Sequence, residues 1–192
     1  MTPSADGAEV VDLRERRAEA PAPRRSAHAT LAAAVAASDD RLRALAYHLL
    51  GSRDAMDDVL QEVYVKAYRH LTDFRGESAI ATWLYRITYT TCIDHLRREQ
   101  RADPMTSEQI EDARPGSAGI DDHLAVRDEL HQALATLSPE RCAAVLLVLR
   151  DGYTYVDAAE ILGVPPGTVA SRVAHGRRQL AAALSTDTEG GE

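Results

Sequence analysis

From Ile161 to Thr186 the chain carries not one acidic residue, although its formal net charge is −8. Within that stretch Thr168, Ser171, Arg172, His175, Arg177 and Arg178 recur at a spacing that places them on the outer side of a helix, with Val169, Val173 and Leu180 on the inner side. Hydroxyls, an imidazole and guanidiniums with no carboxylate to repel an anion are what a surface needs to grip phosphate and read base edges. The plainer alternative is a three-helix bundle whose last helix happens to be basic.

A second group has the opposite sign. Asp54, Asp58 and Glu62 fall on one side of a helical stretch, with Asp57 and Gln61 beside them, and Met56, Leu60, Val63 and Ala67 occupy the roughly opposite face. A solvated surface is the simplest reading. A carboxylate site for a hard cation such as magnesium is the enzymatic one, yet no glycine-rich phosphate loop or second carboxylate cluster accompanies the row. Beyond it come Phe74-Arg75-Gly76-Glu77-Ser78, holding the only phenylalanine of the chain, and then Trp83, Leu84, Arg86, Ile87, Thr90, Arg97 and Arg98. Trp83 and Ile87 stand one helical turn apart beside Leu84, a spacing that suits core packing, and Ser78 suits a helix cap.

The elements that must hold these groups are helices. Ser138-Pro139-Glu140 starts one, with a hydroxyl to cap free amides and a proline where no donor is needed. The apolar run 142–149 predicts that this helix is buried, and Asp151-Gly152 ends it. A second helix spans 155–162, with Gly163 supplying the left-handed turn. Val164-Pro165-Pro166-Gly167 then holds the chain extended, and a third helix runs from near Thr168 to about Leu184. Toward the N-terminus, helices are expected over 28–50, ending at Gly51, and over 54–71.

The fold class is therefore all-α: two small helical domains joined by a flexible linker. Residues 1–27 and 185–192 read as disordered tails, 28–99 and 125–184 as the domains, and 100–124 as the linker, which contains Pro104, Pro115, Gly116 and Gly119 and no sustained apolar period. Modules of this size sit near the lower limit for independent stability and gain from docking on a large partner.

With 192 residues and an acidic balance, the chain is not suited to coating nucleic acid through bulk electrostatics. Cys92 and Cys142 are far apart in apolar surroundings without metal-ligand spacing, which predicts buried thiols and neither a cofactor nor a metal site. No run of 18 apolar residues and no secretory signal is present, so a cytoplasmic location without membrane insertion is expected.

Two blocks of motif carry a resemblance. Tyr155-Val156-Asp157-Ala158-Ala159-Glu160-Ile161-Leu162-Gly163-Val164-Pro165, with Gly167-Thr168-Val169, Ser171-Arg172 and Arg177, is similar to region 4 of the extracytoplasmic-function sigma factors of bacterial RNA polymerase. Asp57-Asp58-Val59-Leu60-Gln61-Glu62-Val63-Tyr64 and the segment 74–98 resemble region 2 of the same family.

The resemblance implies that the helix with Asp54, Asp57, Asp58, Gln61 and Glu62 binds the clamp of the largest core polymerase subunit, and that the flap of the second largest subunit is a further partner. It implies that the loop Phe74 to Ser78, with Trp83, Arg86, Thr90, Arg97 and Arg98, takes up the melted −10 strand and a flipped base. That chemistry calls for a stacking surface, donors and basic groups along the backbone. The helix-turn-helix would hold the −35 duplex through Thr168, Ser171, Arg172, His175, Arg177 and Arg178, and an anti-sigma protein would be the antagonist.

The chain departs from the family at Thr90, where asparagine is frequent, and at Ala170, Ala174 and His175, where basic, bulky and arginine residues are frequent. Each change alters what is offered to a base. A helix-turn-helix regulator that binds duplex operators by itself, as a dimer, is the competing class. Neither reading makes the chain an enzyme.

Overall fold

In the computed structural model, residues 24–74, 76, 78–102 and 122–186 are described. Among the described residues seven α-helices follow one another: α1 (Arg24–Leu50), α2 (Arg53–Arg69), α3 (Ile80–Ala102), α4 (Asp122–Ala135), α5 (Pro139–Val145), α6 (Tyr155–Leu162) and α7 (Pro166–Thr186). There is no strand among the described residues. The architecture is the expected all-α one.

Local chemistry explains most boundaries. Ser52 is extended and its hydroxyl accepts the Ala55 amide, opening α2. Ser138 does the same for Arg141 ahead of Pro139. Thr154 caps α6 by accepting from the Asp157 amide at 3.2 Å while its hydroxyl donates to the Asp157 carboxylate at 2.6 Å, so the cap is locked from both sides. Gly163 ends α6 at φ 66°, where a side chain would be strained, and the next amide, Val164, bonds back to the Ala159 carbonyl at 3.1 Å.

Several bounds differ from the sequence reading. α1 starts four residues earlier than His28, and α3 continues past residue 99 to Ala102. α2 stops at Arg69, and a single 3-10 turn over Leu71–Asp73 leads to Phe74. α7 begins at Pro166, so Pro166 and Gly167 are helical rather than extended, because a proline in the first turn gives up no hydrogen bond. It also runs through Ser185 and Thr186. Ala79, not Ser78, precedes α3, its carbonyl accepting the Trp83 amide at 3.1 Å. The tail and linker expected over 1–27 and 100–124 lie outside the described residues at 1–23 and 103–121.

The apolar run after α5 does not stay helical in the ordinary sense. Residues Leu146–Arg150 form a wide π turn, with the Asp151 amide reaching five residues back to Leu146 at 3.0 Å. The extra residue per turn rotates the chain, which leaves Leu147 fully buried and Leu149 52% exposed.

The two halves share one core. Leu42, Leu45 and Leu49 of α1, Val59, Leu60 and Val63 of α2 and Leu84, Tyr85 and Cys92 of α3 are almost wholly inaccessible, as are Cys142, Leu147, Ala158, Ile161 and Val169 of the second half. Burying each large aliphatic chain contributes about 1.5–3 kcal/mol before chain entropy is subtracted. The seam forms where α3 packs on α6, and α1 on α4 and α5.

Candidate nucleic-acid interface

On α2, Asp54, Asp57, Asp58 and Gln61 are exposed and Glu62 is half-buried. Asp57 accepts from Arg43 of α1 at 2.8 Å, and Arg43 also holds Asp39, which in turn accepts the Tyr64 hydroxyl. The Tyr64 hydrogen bond, aided by Arg43, keeps the Asp39 carboxyl below its ordinary range. Such exposed pairs add little stability. They link α1 to α2 beside the acidic face.

Glu62 has a different role. Lys66 binds it at 2.8 Å and Arg98 of α3 at 3.3 Å, and these cations, Lys66 first, lower its carboxyl below the usual value. One carboxylate of the acidic row is thus tied to an arginine assigned to DNA. Arg97 lies 3.8 Å from Asp94, and Glu62, Lys66, Asp94, Arg97, Arg98 and Arg101 line one groove between α2 and α3. Among the described residues no three His, Cys, Asp or Glu side chains gather where a metal ion would sit.

The loop before α3 brings Phe74 against Trp83, ring centroids 5.3 Å apart and tilted by 46°. Trp83 is half-buried, so it packs on the core with one side and supports Phe74 with the other. Gly76 has φ 70°, with nothing close to its Cβ position; it is the conformation, not space, that calls for glycine. Arg75 and Glu77 lie outside the described residues, and Ser78 is half-buried in the loop. Arg86, Thr90, Arg97 and Arg98 lie on exposed faces of α3. The Thr90 hydroxyl donates to backbone, 2.8 Å from the Arg86 carbonyl and 3.0 Å from that of Ile87.

In the second half, α5, α6 and α7 form the helix-turn-helix unit. Ser171, His175, Arg177 and Arg178 are exposed on α7, with Thr168 half-buried at its first turn. His175 Nδ1 sits 2.8 Å from the Ser171 carbonyl, a contact it can make only as a donor, which leaves Nε2 for an outside partner. Ser138, Glu140 and Arg141 of α5 face Ser171, Arg172 and His175 across an open cleft. Arg141 was not singled out from sequence; its proximity depends on α5 crossing α7, with Gln179 bonding both Arg141 (3.2 Å) and the Thr136 carbonyl (3.1 Å).

Arg172 departs from the outward placement expected for it. It is half-buried, and its Nη1 is shielded from water without a hydrogen-bond partner among the described residues. Its guanidinium lies beside the phenol of Tyr89 in α3, a residue that burial pushes up in pKa, with Glu140 adding to the rise and Arg172 and Arg97 opposing it. An arginine of each predicted DNA set therefore acts electrostatically on the same buried tyrosine, Arg172 from beside it and Arg97 from farther along α3. Cys92 and Cys142 are buried free thiols, and burial pushes Cys92 up to about 12.

An all-helical chain with an acidic helix face, an aromatic loop above a basic helix and a helix-turn-helix defines a class of two-module DNA-reading factors. Comparison with known proteins makes it specific. Residues 35–102 match Sigma-70 region 2, and residues 127–180 match Sigma-70, region 4. The chain is 38% identical over 133 residues to the ECF RNA polymerase sigma factor SigM of Mycobacterium tuberculosis, covering 69% of this chain and 65% of that protein. It is 37% identical over 138 residues to the RNA polymerase sigma-H factor of Pseudomonas aeruginosa, covering 66% of this chain and 72% of that one. Among solved structures, the sigma factor RpoE of Bartonella quintana, in complex with the anti-sigma factor NepR, superposes with a TM-score of 0.63 at 26% identity, covering 80% of this chain and 95% of that one. The chain belongs to the extracytoplasmic-function sigma factor family. None of its described helices is long and apolar enough to cross a membrane.

Proposed function

We propose that this protein is a non-enzymatic initiation factor that binds core RNA polymerase in the bacterial cytoplasm and directs it to particular promoters. The observation that carries the reading is the presence, in one chain and in this order, of a region 2 whose acidic α2 face is open to solvent and a region 4 whose α7 presents Ser171, His175, Arg177 and Arg178. Asp54, Asp57, Asp58, Gln61 and Glu62 dock on the clamp of the largest subunit, and the second half meets the flap of the second largest. Phe74 and Trp83, with Arg75, Gly76, Glu77, Ser78, Arg86, Thr90, Arg97 and Arg98, capture the melted −10 strand. Thr168, Ser171, Arg172, His175, Arg177 and Arg178 hold the −35 duplex.

An anti-sigma protein is the natural antagonist, in keeping with the complex in which the similar Bartonella sigma factor was solved. Domains 28–99 and 125–184, joined through 100–124, move apart to make these contacts. Run-off transcription from a pool of promoter fragments, using sigma-free core polymerase with and without the protein, tests the proposal. Starts that appear only with the protein and share paired upstream motifs support it. Tight binding to duplex fragments by the protein alone, with no dependent initiation, replaces it with a stand-alone regulator.

A further inference from the structure

Elements centred near −10 and −35 lie about 25 base pairs apart, roughly 85 Å along a duplex that advances ~34 Å per turn. The two halves of this chain share one core, and Arg172 of α7 lies beside the Tyr89 phenol of α3. The arrangement must open before both elements are read at once. Besides the shared apolar core, polar and aromatic contacts cross the seam. Tyr85 bonds Asp151 and meets Tyr153 edge-on at 5.1 Å, and Arg150 reaches the Arg41 carbonyl at 3.2 Å. Another is a pair of histidines: His48 of α1 and His131 of α4 meet through their Nδ1 atoms at 3.1 Å, while His131 stacks on Tyr47 at 4.7 Å.

We propose that His48 and His131 form a proton-sensitive clasp across the two halves, and that protonating the pair opens the seam and releases Arg172 and the Tyr89 face of α3 to promoter DNA. The release to DNA rests on the sigma reading above; the opening does not.

The geometry sets the sign. An Nδ1 to Nδ1 hydrogen bond needs one nitrogen with a proton and one without. Two imidazoliums present two donors and two like charges at 3.1 Å. His131 of α4 and Arg150 of the turn after α5 both face His48 and strengthen the effect, and Tyr47 of α1 packs its neutral ring against it. Asp151, a carboxylate beside Arg150 in this network, is held by two bonds of 2.7 Å from Arg150 and by Tyr85 of α3. The contacts from α2 to α1, Asp57 on Arg43 and Tyr64 on Asp39, fall more than a helical turn away.

Burial first, then His131 and Arg150, bring His48 down from the ordinary 6.5 to about 4. The closed form therefore binds fewer protons than the open one. Closure is at full strength above pH 6.5 and weakens as the pH falls from there toward 4. Between pH 7.5 and 5.5 the ratio of open to closed rises about tenfold from His48 alone. The seam is also easier to part because Arg172 Nη1 regains water on opening.

The test uses the full chain with dyes on Arg69→Cys and Leu184→Cys, both exposed sites in opposite halves, the native thiols being buried. Energy transfer is read from pH 7.5 to 5.0 alongside far-ultraviolet circular dichroism, in this chain and in one also carrying Tyr85→Phe, which loosens the seam and brings a small open population into range. The expected result is loss of transfer below pH 6.5 with helix content intact, and a flat response when His48→Gln and His131→Phe are added. Transfer that ignores pH in both backgrounds, the same pH response without the histidines, or loss of transfer only together with loss of helix would each overturn the clasp. Neither DNA nor polymerase is present, so failure of the sigma reading would leave this measurement standing, and the reverse.

Discussion

The Tyr85 hydroxyl of α3 donates to Asp151 at 3.2 Å across 66 residues of sequence. Both are buried, Tyr85 at 1% exposure and the Asp151 side chain likewise. Burial and the carboxylate beside it push the Tyr85 phenol far up in pKa, which favours the protonated, donating form. Tyr85→Phe should keep the edge-on packing against Tyr153 and remove one donor from Asp151, which Arg150 still holds. The expected cost is about 1–2 kcal/mol, since a buried acceptor loses one of its partners. Urea unfolding of the full chain checks it; an unchanged midpoint would mean that water replaces the phenol.

Gly176 lies where α7 packs closely on α5. A Cβ placed there would lie 2.5 Å from Val145 Cγ2, inside van der Waals contact. Gly176→Ala gains helix propensity, worth about 1 kcal/mol, but forces α7 away from a buried valine, at a cost of about 1–3 kcal/mol. Net destabilisation is expected. Adding Val145→Ala should recover part of it, and a double-mutant cycle in which the two changes simply add would show that the contact is slack.

Much of this fold could be read from single residues because the relevant chemistry is local. Ser138 ahead of Pro139 and the left-handed Gly163 act within a few residues of themselves, and both do what their types imply. Val169 and Val173 went to the core because helical period alone separates them from Ser171 and His175. What stayed hidden depends on contacts distant in sequence. Nothing near Tyr85 announces Asp151, and nothing near His48 announces His131. Arg172 has the type and spacing of an outward-facing reader, but α3 covers it. The π turn at 146–150 escaped because a uniform apolar run carries no mark of register, and α7 starts two residues early because Pro166 suits both a turn and a first helical position. Gly176 lay unnoticed within a helix, where glycine signals close packing only once the neighbour is known.

The assignment of polymerase docking to α2 and of promoter contact to α7 predicts separable losses. Asp58 is exposed on the acidic face, and Asp58→Arg should abolish or strongly weaken binding to core polymerase while leaving the fold intact. Arg172→Ala should spare polymerase binding and weaken promoter binding by about 1–3 kcal/mol, about fivefold to more than a hundredfold. Because Arg172 Nη1 is shielded from water without a partner, an unfavourable state that its removal relieves, the change should not raise the sensitivity to urea. Pull-down of core enzyme and promoter binding by the assembled holoenzyme measure the two effects. Equal loss of polymerase binding in both variants would end the division of labour.

Thr90 gives the sharpest prediction about specificity. Its hydroxyl has one hydrogen, and that hydrogen is engaged by the Arg86 and Ile87 carbonyls, so the side chain offers an incoming base only a lone pair and a methyl group. An asparagine there would extend past the backbone with both an amide donor and a carbonyl acceptor. Thr90→Asn should therefore change which −10 base is preferred, by up to about 1–3 kcal/mol for a gained pair. Thr90→Val removes only the lone pair and the backbone bond, and should lower activity without reordering the promoters. Both variants are compared by run-off transcription on a promoter set that differs at each −10 position in turn. If Thr90→Asn leaves the ranking of bases unchanged, residue 90 does not face the captured strand, and specificity at −10 must come from the loop around Phe74.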